Sequence, residues 1–360
     1  MQLKSVILGL SLLASAASMP SQACTGITLH DPSGSPILAR TIEWGGSDLN
    51  SRYVIVPRGY VQRSYVPGGV KGGLEFKVRY GYVGLSVEQE DFVAEGLNEA
   101  GLSAGLFYFP RYGSYAPYDS LQASKCLADL QLVPWMLSQF RTVDEALNGL
   151  KQVRVTAIDP RASTVHWRIA DTSGRQVVVE IVEGRVQVFE NKIGVLTNSP
   201  GFEWQLTNLN NYVNLFPGSA PAQQLDSLTL QPFGAGSGFL GLPGDVTPPS
   251  RFVRAAFYQA SAPRPATTRD AVLQCFQILN NFDIPVGIEF AGGKVPADIP
   301  SATQWTSVTD PVHGSIYFRT MRNSAIRAID LRKIDFGRVA YRSVLLDESR
   351  EQPITEIEIK

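Results

Sequence analysis

A cysteine stands where an export signal would be cut. Lys4 supplies a basic start, Val6 through Leu13 an apolar stretch, and Ser21-Gln22-Ala23 a small-residue cleavage site. Cleavage after Ala23 removes residues 1–23 and makes Cys24 the first residue of a mature chain 24–360. Cys24 then carries a thiol and a free α-amine on one carbon skeleton. An α-amine has an ordinary pKa of about 7.7–8.0, so near neutral pH it can take a proton from the thiol and return it to a leaving amine. That is nucleophile and base in a single residue. Three other fates compete for a cysteine in this place: a lipid-anchored residue, half of a disulfide in an oxidising compartment, and an inert buried thiol. Ser21 and Ala23 suit an ordinary signal peptidase better than the lipoprotein pattern, which usually wants Leu three residues before the Cys.

Thiol attack on an amide needs more than the sulfur. A nearby cation favours the thiolate, donors must face the oxyanion, and a pocket must orient the acyl group. The other chemistries have little support. The three histidines, His30, His166 and His313, are far apart, and there is no H-x-x-H, H-E-x-x-H or C-x-x-C, so no metal site is expected. Gly234-Ala235-Gly236-Ser237-Gly238 lacks the spacing of a nucleophile elbow, and Gly234 to Gly244 lacks the Lys-Ser/Thr of a phosphate loop. A net charge of −1 argues against a nucleic-acid surface or a polybasic membrane patch. No second apolar run approaches the roughly eighteen residues of a membrane span. Cys126 and Cys275 each lie among apolar neighbours in helical patterns. Buried free thiols are expected, and spacing cannot decide whether they form a bridge.

The elements that must position Cys24 begin with a hairpin. Thr25 to Leu29 and Ile37 to Thr41 flank the turn Asp31-Pro32-Ser33-Gly34-Ser35. Pairing returns the end of the second arm to the start of the first, so Arg40 should approach Cys24. Val177–Val182 and Arg185–Phe189 predict another hairpin around Glu183-Gly184. Thr142 with Glu145 is a capping box, and Thr267 with Asp270 starts a helix reaching Asn280. Ser250 is expected to cap a helix from Arg251 to Ala260. Asp119 to Phe140 reads largely helical, broken or kinked at Pro134. Phe202 to Leu215, with Trp204, Leu206, Leu209, Tyr212 and the following Phe216, could present an apolar contact surface. Strands and helices alternate in blocks, which predicts a layered α+β fold with largely antiparallel sheets in a single domain.

Taken together and in order, a set of short segments resembles the choloylglycine hydrolase, penicillin V acylase and bile salt hydrolase family of N-terminal nucleophile amidases. They are Cys24-Thr25-Gly26-Ile27, Ala39-Arg40-Thr41-Ile42-Glu43-Trp44, Gly96-Leu97-Asn98-Glu99-Ala100-Gly101-Leu102, Val133-Pro134-Trp135, Leu196-Thr197-Asn198-Ser199-Pro200, Pro249-Ser250-Arg251-Phe252-Val253-Arg254, Ile278 through Pro285, and Thr303-Gln304-Trp305-Thr306. The resemblance spans essentially the whole mature chain. It implies a four-layer αββα sandwich, no cofactor and a homotetramer. It also implies Cys24 as nucleophile with its own α-amine as base, Arg40 beside the thiol, and Glu43 where much of the family has Asp. Asn198 would be the side-chain donor of the oxyanion hole, the backbone N–H of Tyr108 the second donor, and Arg251 the remaining polar residue. Trp44, Phe107 and Phe109 are expected to wall the acyl pocket. Export plus the Glu43-Trp44 pair resembles the branch that acts on penicillin V and acyl-homoserine lactones. Conjugated bile salts are the alternative substrate, and the partner is a small-molecule acyl amide. The expected compartment is the periplasm. The rivals from other classes are a lipid-anchored binding protein and a non-catalytic relative.

Overall fold

Asp31 shapes the first turn: its Oδ1 accepts the N–H groups of Ser33 and Ser35, and Gly34 takes a φ of +88° that a side chain would resist. The arms on either side, β1 (Gln22–His30) and β2 (Pro36–Trp44), pair antiparallel, with Cys24 opposite Ile42 and Gly26 opposite Arg40. This computed structural model describes residues 22–159, 164–288 and 298–359, so residues 1–21 of the expected signal lie outside the described residues.

β2 continues onto Thr303–Asp310, then Ser315–Thr320 and Asn323–Asp330, to complete a five-stranded sheet. An eight-stranded sheet runs in spatial order Arg185–Glu190, Gln176–Val182, Val165–Ala170, Ser103–Tyr108, Val93–Asn98, Tyr82–Ser86, Arg52–Val56 and Arg342–Leu345. All neighbours in both sheets are antiparallel. The sheets face each other where β1 meets Ser103–Tyr108. Helix α1 (Leu132–Gln139) packs on the larger sheet, near α2 (Val143–Leu150). After the short α3 (Phe202–Asn208), helices α4 (Pro248–Ser261) and α5 (Thr268–Leu279) cover the smaller sheet. The result is an αββα sandwich. Central strands are covered on both faces, so Val93–Asn98 and Thr303–Asp310 are buried at every position.

Both expected hairpins form, the second as Gln176–Val182 with Arg185–Glu190. Thr142 caps α2 through its Oγ1, while the Glu145 carboxylate accepts from Arg141 N instead of the cap residue's own N–H. Thr267 caps α5 as expected. Two helical expectations need correction. Residues 119–140 break into a 3₁₀ turn Ser120–Lys125, a strand Cys126–Ala128 and α1. The strand forms because Arg154–Thr156 pairs with it in parallel, a non-local bond that helical periodicity does not show. Pro134 falls in the first turn of α1, where N–H groups have no intrahelical partner, so it breaks nothing. Helix α4 starts earlier than expected, at Pro248 with Thr247 as its cap. Ser250 lies inside the first turn and bonds Asp245 Oδ2. Cys126 and Cys275 are both buried free thiols. Among the described residues, no helix is long and apolar enough to cross a membrane.

Candidate active site

Cys24 is 4% exposed and is the third residue of β1. β1 pairs with β2 on one side. On the other, Gly26 exchanges backbone hydrogen bonds with Leu196, N to O at 2.6 Å and O to N at 3.1 Å. That clasp brings residues 196–198 alongside the cysteine. Cys24 N donates to Asn198 Oδ1 at 2.8 Å. Arg251, fully buried in the first turns of α4, donates to the Cys24 carbonyl, to Thr25 Oγ1 at 2.8 Å and to Asn198 Oδ1 at 2.7 Å. With Oδ1 held by two donors, the amide can point only one way. Its Nδ2 donates to the Tyr108 carbonyl at 2.7 Å, which leaves one N–H of the pair for a developing oxyanion. The Tyr108 N–H is directed at the Cys24 sulfur.

Arg40 reaches the thiol as the hairpin geometry requires. Its Nη2 lies 2.8 Å from Sγ, although the Cα register places Arg40 opposite Gly26. The guanidinium also donates to the carbonyls of Thr41, Ala94 and Leu106, at 3.2, 3.0 and 2.6 Å. Burial pushes the Cys24 thiol up. Arg40, the Tyr108 N–H and Arg251 favour the thiolate but do not cancel burial, and the nearby Glu43 charge adds to the rise. The resting sulfur therefore keeps its proton until a base removes it. Glu43 is 2% exposed and stands opposite Ala23 in the ladder.

The expected aromatic wall is rearranged. Phe107 and Phe109 are fully buried. Phe107 lies under Arg40, 4.3 Å from guanidinium carbon to ring centroid, and Phe109 stacks on His166 at 4.4 Å. Both face inward because residues two apart on a strand share a face, and this face looks onto the other sheet. They support the polar groups from beneath and do not line a cleft in this structure. Trp44 is partly exposed, its indole N–H on Ser47 Oγ at 2.8 Å. The loop after Tyr108 lines a cleft of about 410 Å³ with Arg111, Tyr115 and Tyr118.

Three further residues belong to the surroundings of Cys24 and escaped the sequence reading. His166 makes no cysteine pair; its Nε2 lies 3.0 Å from the Thr197 carbonyl and its Nδ1 3.1 Å from Glu180, bracing the residue before Asn198. Glu95 forms buried ion pairs with Arg168 at 3.4 Å and with Arg40 at 3.8 Å. One signal was available for all three: an ionisable residue inside an otherwise apolar strand, as in Val93-Ala94-Glu95-Gly96-Leu97 and Val165-His166-Trp167-Arg168-Ile169.

Residues 24–348 match the linear amide C–N hydrolases, choloylglycine hydrolase family. A bile salt hydrolase/transferase of Clostridium perfringens is 32% identical, the match covering 86% of this chain and 93% of that protein. A crystal structure of a variant conjugated bile acid hydrolase from Clostridium perfringens superposes with a TM-score of 0.80 at 29% identity, over 93% of this chain and 100% of that one. The penicillin V acylase structure from Agrobacterium tumefaciens gives a TM-score of 0.72 at 25% identity, over 90% and 92% of the two chains. This chain therefore belongs to the choloylglycine hydrolase family of linear amide C–N hydrolases and has the N-terminal nucleophile hydrolase fold.

Proposed function

We propose that the mature chain is an exported amidohydrolase that uses Cys24 as its nucleophile, with penicillin V or an acyl-homoserine lactone as substrate. The observation that carries this is the convergence on Cys24 of Arg40 Nη2 and the Tyr108 N–H at its sulfur and of the Asn198 side-chain oxygen at its nitrogen. The family match beginning at residue 24 supports the same reading. The α-amine takes the thiol proton as sulfur attacks the acyl carbon. Tyr108 N–H and the second Nδ2 hydrogen of Asn198 receive the oxyanion. The amine proton goes to the leaving nitrogen, the C–N bond breaks, and water then hydrolyses the thioester with the α-amine as base. Arg251 holds Asn198 and the Cys24 carbonyl in place. Trp44, partly exposed and opposite Gln22 two residues before Cys24, supplies aromatic surface for an apolar acyl group.

A competitive panel on mature enzyme tests the substrate: penicillin V, penicillin G, glycine and taurine bile conjugates, and acyl-homoserine lactones of several lengths, with released amines quantified. Penicillin V or a lactone is expected to show the highest kcat/KM. Bile conjugates leading the ranking would replace this reading with bile salt hydrolysis, the second reading, which the 32% identity to the clostridial enzyme favours. Asn198→Ala is expected to lower kcat about 10²–10³-fold, the usual loss for one oxyanion donor, and single-turnover acylation rates check it. An acylation rate within threefold of wild type would remove Asn198 from that role.

We further propose that residues 24–360 act as one domain in the periplasm and assemble as a homotetramer. The exposed Trp204, Leu206, Val213 and Phe216, with the neighbouring exposed Leu225, Leu228 and Leu230, supply apolar surface for such contacts; Leu209 and Tyr212 are half-buried and contribute less. Light scattering on the mature protein is expected to give four times the protomer mass.

A further inference from the structure

Three charged side chains lie packed together in the dry interior beside Cys24. Arg40 is fully buried, Arg168 2% exposed and Glu95 1% exposed. Glu95 is a hazard to the thiol. A carboxylate that captured Arg40 would cancel the guanidinium that lies 2.8 Å from Sγ. Its Oε2 accepts no hydrogen bond but forms a long ion pair with Arg40 Nη1 at 3.8 Å, beyond hydrogen-bond distance. Its other oxygen, Oε1, accepts from Arg168 Nη2 at 3.4 Å and from Ser103 Oγ at 3.5 Å. Arg168 is itself anchored from the smaller sheet by the carbonyls of Ile27 on β1 and Ala39 on β2, each at 3.2 Å.

We propose that Arg168 is a positioning residue: it keeps Glu95 out of hydrogen-bond contact with Arg40, so that the Arg40 charge is directed at the Cys24 sulfur. The backbone makes room for the pair at two places. A Cβ on Gly105 would sit 2.1 Å from Glu95 Oε2, and one on Gly26 would sit 3.0 Å from Arg168 Nη1. Burial pushes the Glu95 carboxyl up, and Arg168 and Arg40 favour its ionised form. With Glu95 ionised, the three groups carry one net positive charge, which a thiolate at Cys24 neutralises. The other groups that face this cluster are Glu43 on β2, Arg251 on α4 and the Cys275 thiol on α5, pushed up to about 12 by burial and therefore neutral.

The proposal rests on Cys24 being the nucleophile, and its test reads the sulfur without substrate. Alkylation of Cys24 by iodoacetamide is followed across pH in mature protein, with peptide mass spectrometry to exclude Cys126 and Cys275. Arg168→Gln should raise the midpoint by about one pH unit, because freed Glu95 turns to Arg40; kcat/KM should fall about tenfold at unchanged KM. Glu95→Gln should move the midpoint down. The double variant, which removes the buried pair as a unit, should fold and return the midpoint close to wild type. A role in folding alone would lower the melting temperature and leave every midpoint unmoved. An unmoved midpoint in folded Arg168→Gln overturns the proposal. So does an upward or absent shift in Glu95→Gln, which carries the test if Arg168→Gln does not fold. Turnover by Cys24→Ala would instead refute the nucleophile reading and leave these midpoints interpretable.

Discussion

Cys24→Ala is expected to lose at least about 10⁵-fold in kcat while keeping its fold, since in the proposed covalent mechanism it removes the nucleophile and with it the whole pathway. The structural change is small. Sγ is one atom in a site where Arg40 keeps its bonds to the Thr41, Ala94 and Leu106 carbonyls. One buried guanidinium N–H loses its partner, at a cost of about 1–3 kcal/mol. That is a fraction of the 5–15 kcal/mol typical of a folded domain. Far-ultraviolet circular dichroism and a thermal melt check the fold, and pre-steady-state release of amine checks the chemistry. Activity within a hundredfold of wild type would mean that another group attacks the amide.

The second large effect concerns the bond before Cys24. With the leader attached, Ala23 continues β1, is 3% exposed and packs against Ile284 and Ala302. Cys24 N is then a peptide nitrogen donating to Asn198 Oδ1. Its lone pair is delocalised into the carbonyl, so it cannot accept the thiol proton. A chain that retains Ala23 should fold and lose about 10²–10⁴-fold in kcat, the usual contribution of a general base. The same burial carries a consequence for processing: a separate peptidase cannot reach a bond inside a paired strand, so cleavage should precede closure of the β1–β2 hairpin. Adding signal peptidase to the folded, uncut chain should leave its N-terminus unchanged by intact mass. Full turnover by an uncut chain would remove the α-amine from the mechanism.

Features that depend on neighbours in sequence were legible before the fold was known. The Asp31–Ser35 turn, the Thr267 cap and the Val177–Phe189 hairpin form as read, and Thr142 caps its helix although Glu145 does not close the box, because these hydrogen bonds close within a few residues. The approach of Arg40 to Cys24 was legible for the same reason, since a hairpin is a local object. Residues 119–140 were misread where locality failed: Cys126–Ala128 is a strand only because Arg154–Thr156 lies beside it. Phe107 and Phe109 illustrate a different limit. Their aromatic character was plain, but which face of a strand meets the other sheet is not written in an unbroken apolar run.

By itself, the amino-acid sequence determined the chemistry on offer: a thiol at the expected cleavage point, a guanidinium one hairpin away, and asparagine and arginine in recognisable segments. Tertiary structure alone decided that Asn198 clasps Cys24 across 174 residues, that Tyr108 turns its N–H to the sulfur, and that Glu95 and Arg168 stand behind Arg40. The physical reason is the pairing of two covered sheets. Burial on both faces erases the alternation that would show where each side chain points, and contacts between sheets are fixed by packing that no short window of residues contains.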